Sequence, residues 1–252
     1  METRKASAVA AALGAYREKL VNIFVTDVAR TERDFTMSGY PKYQRQELRP
    51  FFGYAQWVGW MAIPEIMWMH FQDAIGFAPD ISQVLNIDWA SQALMKMHTK
   101  EMDELERKPE IGHDVNAMLY MLRATLAKSV HRYVHFGWTS YDDIEQARAK
   151  MFYEAYVRVV RPTMVHVEQL MRERIKEFAE KIQIHRTHLQ YALPGTVGFW
   201  LSVLHAHFVE SIRKLDIAAS ELTGKVTGAT GVSSALMAFN MPELFRKSVP
   251  DA

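Results

Sequence analysis

Cysteine is absent from the 252 residues, which excludes disulfides, thiolate catalysis and the common structural zinc sites, and suits a reducing cytosol. Neither sign of charge dominates, with 30 Lys and Arg against 29 Asp and Glu. No global field therefore draws the chain to nucleic acid or to an anionic membrane, and partners have to be read from local sites. Long apolar runs are missing as well. The richest, FFGYAQWVGWMAIP from Phe51, reaches Pro64 and then Glu65, short of the roughly 20 apolar residues that span a bilayer, and reads as a buried helical segment. The start METRKASAVAAALGAYREK has scattered charges and no apolar stretch of signal-peptide length. A Gly-rich phosphate loop, GxSxG and a Cys/His pair are all absent, so the usual signatures of nucleotide hydrolysis and acyl transfer are missing.

What is present has helical rather than alternating periodicity, punctuated by sparse prolines and glycines, and predicts an all-α fold. Short helices broken at Gly39, Pro41, Pro50, Gly53, Pro64, Gly76 and Pro79 form an N-terminal helical domain over 36–136, behind a charged amphipathic lead-in over 1–35 that is a helix or mobile. Residues 137–252 predict part of a long-helix bundle. One helix should begin at Ser140, bury Ile144, Ala147, Met151 and Ala155, and stop before Pro162. A second carries Leu170, Met171, Ile175, Phe178 and Ile182 on one face from Val167. A third, starting after Pro194 and Gly195 and ending near Gly224, keeps the stripe Trp200, Leu204, Phe208, Ile212, Leu215, Ala219 and Leu222.

Three histidines precede what read as helix starts: His113 in IGHDVNAML, His135 in HFGWTSYDD, and His188 in IHRTHLQYALPGTVG. Such a place binds an anion, because unpaired amides and the positive helix end point the same way. It is also where a histidine merely caps or packs. The acids of HFGWTSYDD fit a plain helix start too, with Thr139 or Ser140 as the cap and Asp142 and Asp143 in the first turn. That leaves His135 to Trp138 unexplained. His131 with His135, and His185 with His188, have spacings that put two imidazoles on one helical face, yet neither pair has a carboxylate in a ligand motif such as HExxH, and no metal is expected. His205 and His207 do not face each other on a helix and read as surface or packing residues.

Taken in order, these stretches resemble the adenylosuccinate lyase branch of the fumarase/aspartase superfamily. GHDVNAML is similar to its His-Asp-Val segment, and HFGWTSYDDIEQA to its His-(Tyr/Phe)-Gly-Leu-Thr-Ser-x-Asp block. HRTHLQYALPGTVG is similar to its Gly-Arg-Thr-His-x-Gln-x-x-x-Pro-x-Thr-x-Gly block, and GKVTGATG from Gly224 to its Gly-Lys-(Leu/Ile)-Ser-Gly-Ala-x-Gly turn. The resemblance covers about residues 36 to 235. It implies anti β-elimination of fumarate from a succinyl-amine such as adenylosuccinate, in cytoplasmic purine biosynthesis, with no cofactor. By that resemblance Thr139 and Ser140 bind a substrate carboxylate, His188 is the general acid for the departing nitrogen, and Gln190 contacts a carboxylate. His113 supports proton transfer or phosphate contact, His135 lines the nucleotide side, and Asp114 orients His113 or caps its helix.

Two departures from the family pattern bear on function. In MSGYPKYQRQELRPFF, Tyr40 matches the tyrosine of the family's phosphate-gripping Ser-Arg-Tyr block, but Gly39 stands where its arginine should be. Losing that bidentate contact leaves room for a smaller succinyl-amine, unless Arg45 or Arg49 compensates. The family's catalytic serine also sits on a mobile Gly-Ser-Ser-x-Met-Pro-x-Lys loop, which SSALMAFNMPELFRK follows the GATG turn too closely to be. The resemblance therefore implies a truncated bundle whose base, and whose cover for apolar helix faces, come from a homo-oligomer or a complementing C-terminal chain. The alternative is a non-catalytic relative that binds a nucleotide, a dicarboxylate or a protein partner.

Overall fold

The computed structural model describes residues 2–27, 41–78, 81, 86–241 and 243. Gly39 and Tyr40 lie outside them. The contacts divide the chain into two compact units, Met1–Met151 with Thr223–Ala252, and Phe152–Leu222.

The first unit is built around one helix that is apolar on every side. Helix α3 (Trp57–Ala74) takes up the second half of the FFGYAQWVGWMAIP run, WVGWMAIP, and buries most of its length, with Val58, Trp60, Met61, Ala62, Ile66 and Met69 fully covered. A helix of that composition has no solvent face and must be surrounded. Helices α1 (Glu2–Asp27), α4 (Ile87–Met95), α5 (Thr99–Glu106) and α6 (Asp114–Ala124) all touch it. The lead-in is thus helical over Glu2–Asp27, and its buried Leu20, Val21, Phe24 and Val25 form one stripe. It approaches α3 at Gly59, where an added Cβ would stand 2.2 Å from the Phe24 ring. The short helix α2 (Arg49–Phe52) and several single 3₁₀ turns complete the connections.

Helix α7 (Ser140–Ala155) buries Ile144, Ala147, Met151 and Ala155, as its periodicity predicts. It does not stop before Pro162. The backbone passes through a π-helical turn, Tyr156–Val160, and continues as α8 (Arg161–Glu177) with the proline in its first turn. Proline lacks an N–H and its ring crowds the carbonyl four residues back, and the wider π turn accommodates both. The change from short to long helices near residue 136 falls inside the first unit, because the early turns of α7 pack there.

The second unit pairs α8 with α9 (Val197–Ser220), joined by an antiparallel hairpin of β1 (Ile182–Thr187) and β2 (Gln190–Thr196). This hairpin corrects two expectations: Ile182 begins a strand rather than ending a helix, and His188 precedes no helix start. Thr187 pairs with Gln190 across His188 and Leu189, both at positive φ (49° and 62°), the geometry of a two-residue primed turn. The helix start expected after Pro194 and Gly195 is present, with the Thr196 hydroxyl accepting from the Phe199 amide at 3.1 Å. Helices α8 and α9 run antiparallel, since Arg161 bonds Asp216 while His205 reaches Glu168. Their union leaves Trp200, Leu204, Leu215 and Leu222 of the expected stripe exposed.

Candidate active site

The HFGWTSYDD stretch folds as a turn feeding α7. Thr139 precedes the first helical residue, and its amide donates to Asp142 Oδ2 at 2.8 Å, the carboxylate half of a capping box, while the Asp142 amide closes the first turn on the Thr139 carbonyl. Asp142 is also fully buried and does more than favour the helix dipole. Its Oδ1 accepts from Lys225 Nζ at 2.9 Å and from the Thr227 amide at 2.9 Å, and its Oδ2 from the Gly228 amide at 3.1 Å. One carboxylate thereby ties the helix start to the GKVTGATG turn.

Asp143 points elsewhere, into a cluster with His135 and Glu65. His135 Nδ1 lies 2.5 Å from Glu65 Oε1 and 3.1 Å from Asp143 Oδ2, and its main-chain N–H donates to Glu65 Oε2 at 2.9 Å. Both acids are fully buried, and the His135 side chain is 18% exposed. Burial by itself works against the charged ring, but the bonds to Asp143 and Glu65 outweigh it and hold the His135 pKa up at about 10. Burial, and then the neighbouring Glu65 charge, push Asp143 well above the ordinary carboxylate value.

The residues left over in the opening turn form an aromatic wall. Gly137 takes φ 74°, and a Cβ there would meet Leu236 at 2.9 Å. Phe136 packs against Phe77 and Phe239. Trp138 stacks on Trp68, centroids 4.9 Å apart, and Trp68 Nε1 donates to the Phe136 carbonyl. Trp68 and Trp138, with Met67, Phe71, Leu236 and Met241, line an apolar cavity of about 490 Å³.

Other predicted site residues are placed apart. His113 caps α6, its Nδ1 accepting from the Val115 amide at 3.2 Å, while Asp114 Oδ1 accepts from the same amide at 2.7 Å and lies 2.9 Å from that ring nitrogen. Arg123, near the other end of α6, bonds the Val134 carbonyl, which sets His113 roughly 15 Å along the helix from the His135 turn at 1.5 Å rise per residue. His188 and Gln190 sit at the exposed hairpin turn of the second unit. His131 does not join His135, because its Nε2 donates to the Leu126 carbonyl at 3.1 Å. His185 lies in β1 against Gly195, and His205 Nε2 pairs with Glu168 at 2.5 Å.

Among the described residues, Glu65, His135 and Asp143 are the one group of three whose ligand atoms converge as a metal site requires. In this structure the three groups bond one another directly.

Sequence reasoning missed Glu65 and Asp143 as site residues. The available signal was Glu65 itself, an acid in the middle of the apolar stretch Trp57–Met69, since a buried charge has to have a partner.

A lyase family model matches residues 83–249. The adenylosuccinate lyase of Methanothermobacter thermautotrophicus is 28% identical over 158 residues, covering 61% of this chain and 35% of that protein. The Vibrio cholerae adenylosuccinate lyase is 29% identical, covering 73% and 42%. The N-acetyl-S-(2-succino)cysteine lyase of Dickeya dadantii is 32% identical, covering 48% and 28%. The fold matches a fumarate lyase from Mesorhizobium sp. BNC1 (TM-score 0.67, 18% identity, 82% of this chain and 49% of that one). It also matches the β-carboxy-cis,cis-muconate cycloisomerase of Acinetobacter calcoaceticus (TM-score 0.67, 20% identity, 82% and 48%). The chain belongs to this lyase family, in the adenylosuccinate lyase branch of the fumarase/aspartase superfamily. It spans about a third of the length of the first curated relatives it matches.

Proposed function

We propose that the chain carries part of the active site of a C–N lyase that releases fumarate from a succinyl-amine by anti β-elimination. The observation that carries this reading is the Thr139–Ser140 helix start, held against the GKVTGATG turn by buried Asp142, with His135 anchored beside it on Glu65 and Asp143. In such a reaction a base removes the proton from the carbon next to one carboxylate. The electron pair delocalises into that carboxylate, then forms the double bond as the C–N bond breaks, and the nitrogen takes a proton. Thr139 and Ser140 hold the carboxylate that bears the developing charge, at the positive end of α7. His188 delivers the proton to nitrogen, a task suited to an imidazole near neutrality, and Gln190 contacts a carboxylate. His113, beside Asp114, serves proton transfer or a phosphate contact, and Tyr40 serves to grip a phosphate where the substrate carries one.

His188 and Gln190 stand at an exposed turn, and the apolar faces around Trp200 and Leu204 are exposed too. Both features support a site completed by other chains, in a homo-oligomer or with a complementing C-terminal chain that supplies the base. The substrate class follows from relatives whose names include both a nucleotide and a cysteine adduct of the succinyl group, and a purine nucleotide in cytoplasmic purine biosynthesis is one member of it.

The test is solution mass and fumarate production, followed by ultraviolet absorbance on the same samples, for the protein alone and after pull-down from its native extract. His188→Asn keeps a residue that tolerates positive φ and removes the acid. In the active assembly it should lower kcat at least about 100-fold. Elimination that survives this substitution unchanged would sink the assignment of His188, and an assembly inactive on every succinyl-amine would sink the reaction.

A further inference from the structure

We propose that Glu65 and Asp143 are positioning residues that hold His135 as an imidazolium, making it a fixed anion contact and not a proton donor. The anion-contact role rests on the lyase reading; the state of the ring stands on geometry. A lone pair on Nδ1 would face acceptor oxygens at 2.5 and 3.1 Å, so Nδ1 carries a proton. The main-chain N–H of the same residue donates to the second Glu65 oxygen, a two-point grip that fixes the ring against α3. The grip uses an uncommon backbone conformation, φ 63° at His135, a region in which histidine is among the better tolerated residues.

Charge balance points the same way. Two fully buried carboxyl groups flank one ring, and Asp143, raised by burial and by Glu65, shares a proton with that neighbour, so the pair keeps a negative charge that no cation other than the ring approaches among the described residues. Buried anions require a compensating charge. Arg123, the basic residue of the adjoining helix end, directs its guanidinium to the Val134 carbonyl instead. The ring is left to compensate, and the bonds from both acids hold its proton against the opposing effect of burial. A ring charged throughout the neutral range offers a permanent Nε2–H donor to an anion, but it cannot exchange a proton at the working pH. That separates its role from the one proposed for His188.

The experiment is a heteronuclear NMR titration of the histidine rings in the full chain from about pH 5 to about pH 9.5, with fumarate as the probe anion. Both His135 ring nitrogens should stay protonated to about pH 9, and Glu65→Gln and Asp143→Asn should each lower the titration midpoint by at least about one unit. A merely structural role for the two acids would not move that midpoint. At a fixed pH near 8, fumarate should shift the wild-type His135 signals and leave those of Glu65→Gln unmoved. A wild-type midpoint near 6.5, a neutral ring at pH 8, midpoints unmoved in both variants, or stoichiometric Zn²⁺ uptake through Nδ1 would each overturn the proposal. If the variants fail to fold, the wild-type titration decides alone. A charged ring that ignores fumarate would overturn the anion-contact role, and the lyase reading's use of His135 with it, while leaving the grip of Glu65 and Asp143 in place.

Discussion

Lys225 Nζ lies 2.9 Å from Asp142 Oδ1 across 83 residues of sequence, and this ion pair fastens the GKVTGATG turn onto the start of α7. The same carboxylate takes the amides of Thr139, Thr227 and Gly228. Asp142→Ala would leave those amides without their acceptor and the partly buried Lys225 ammonium with the Gly228 carbonyl but no counter-charge. Unfolding in urea should show a loss of about 3 kcal/mol. An unchanged midpoint would mean that water replaces the carboxylate and that the clamp adds nothing to stability.

Gly59→Ala sets two effects against each other. Alanine favours a helix over glycine by about 1 kcal/mol, but its Cβ would fall 2.2 Å from the ring of Phe24, itself 2% exposed. Overpacking of that kind costs about 1–3 kcal/mol, so the clash should win. The expected outcome is a lower unfolding midpoint, with faster amide exchange in Glu2–Asp27. A raised midpoint would show that Phe24 moves aside at little cost.

Leu189→Gly should strengthen the hairpin. Leu189 holds φ 62° with its side chain 87% exposed, so little packing is lost when the side chain is removed. Relief of left-handed strain, about 1–2 kcal/mol, exceeds the extra entropy that glycine loses on folding, about 0.5–1 kcal/mol. Slower amide exchange across β1 and β2 would confirm it. Faster exchange would mean that the turn has another geometry in solution.

Acid should weaken the second unit through Glu168. The hydrogen bond from His205 lowers its pKa below the ordinary 4.5, burial opposes this, and Arg172 adds to the lowering. A carboxyl depressed in the folded state contributes stability above its unfolded pKa and loses it as pH falls through the folded value. Amide exchange in α8 and α9, measured from about pH 6 to about pH 3, should accelerate at the acid end in the wild type and change less in Glu168→Gln. Equal acid sensitivity in both proteins would assign the effect to other carboxylates.

The exposed apolar face of α9 gives a test of association. Leu204→Asp places a charge among Trp200, Val203 and other exposed apolar residues. It should reduce the solution mass of any assembly that buries this face, because an unpaired buried charge strongly opposes association. An assembly of unaltered mass would show that partners meet elsewhere.

Much of the helical layout was legible because it depends on local pattern. Ile144, Ala147, Met151 and Ala155 are spaced for one face of a helix and are buried on one. The α9 start after Pro194 and Gly195 follows from chain stiffness and a capping threonine. The hairpin was not legible. Ile182 continues a helical spacing from α8, and a primed turn made by His188 and Leu189 lacks the glycine or asparagine that usually announces one.

The sequence by itself determined the helical class, the buried α3 segment, the family motifs and a helix start at Thr139 or Ser140, since each rests on periodicity or on residues close along the chain. Only the tertiary structure decided that Asp142 and Asp143, neighbours in one turn, serve different partners, one holding the GKVTGATG turn and the other facing His135 with Glu65. Adjacent side chains on a helix point about 100° apart. What each one meets is therefore set by the packing of segments some seventy to eighty residues away, which no local pattern contains.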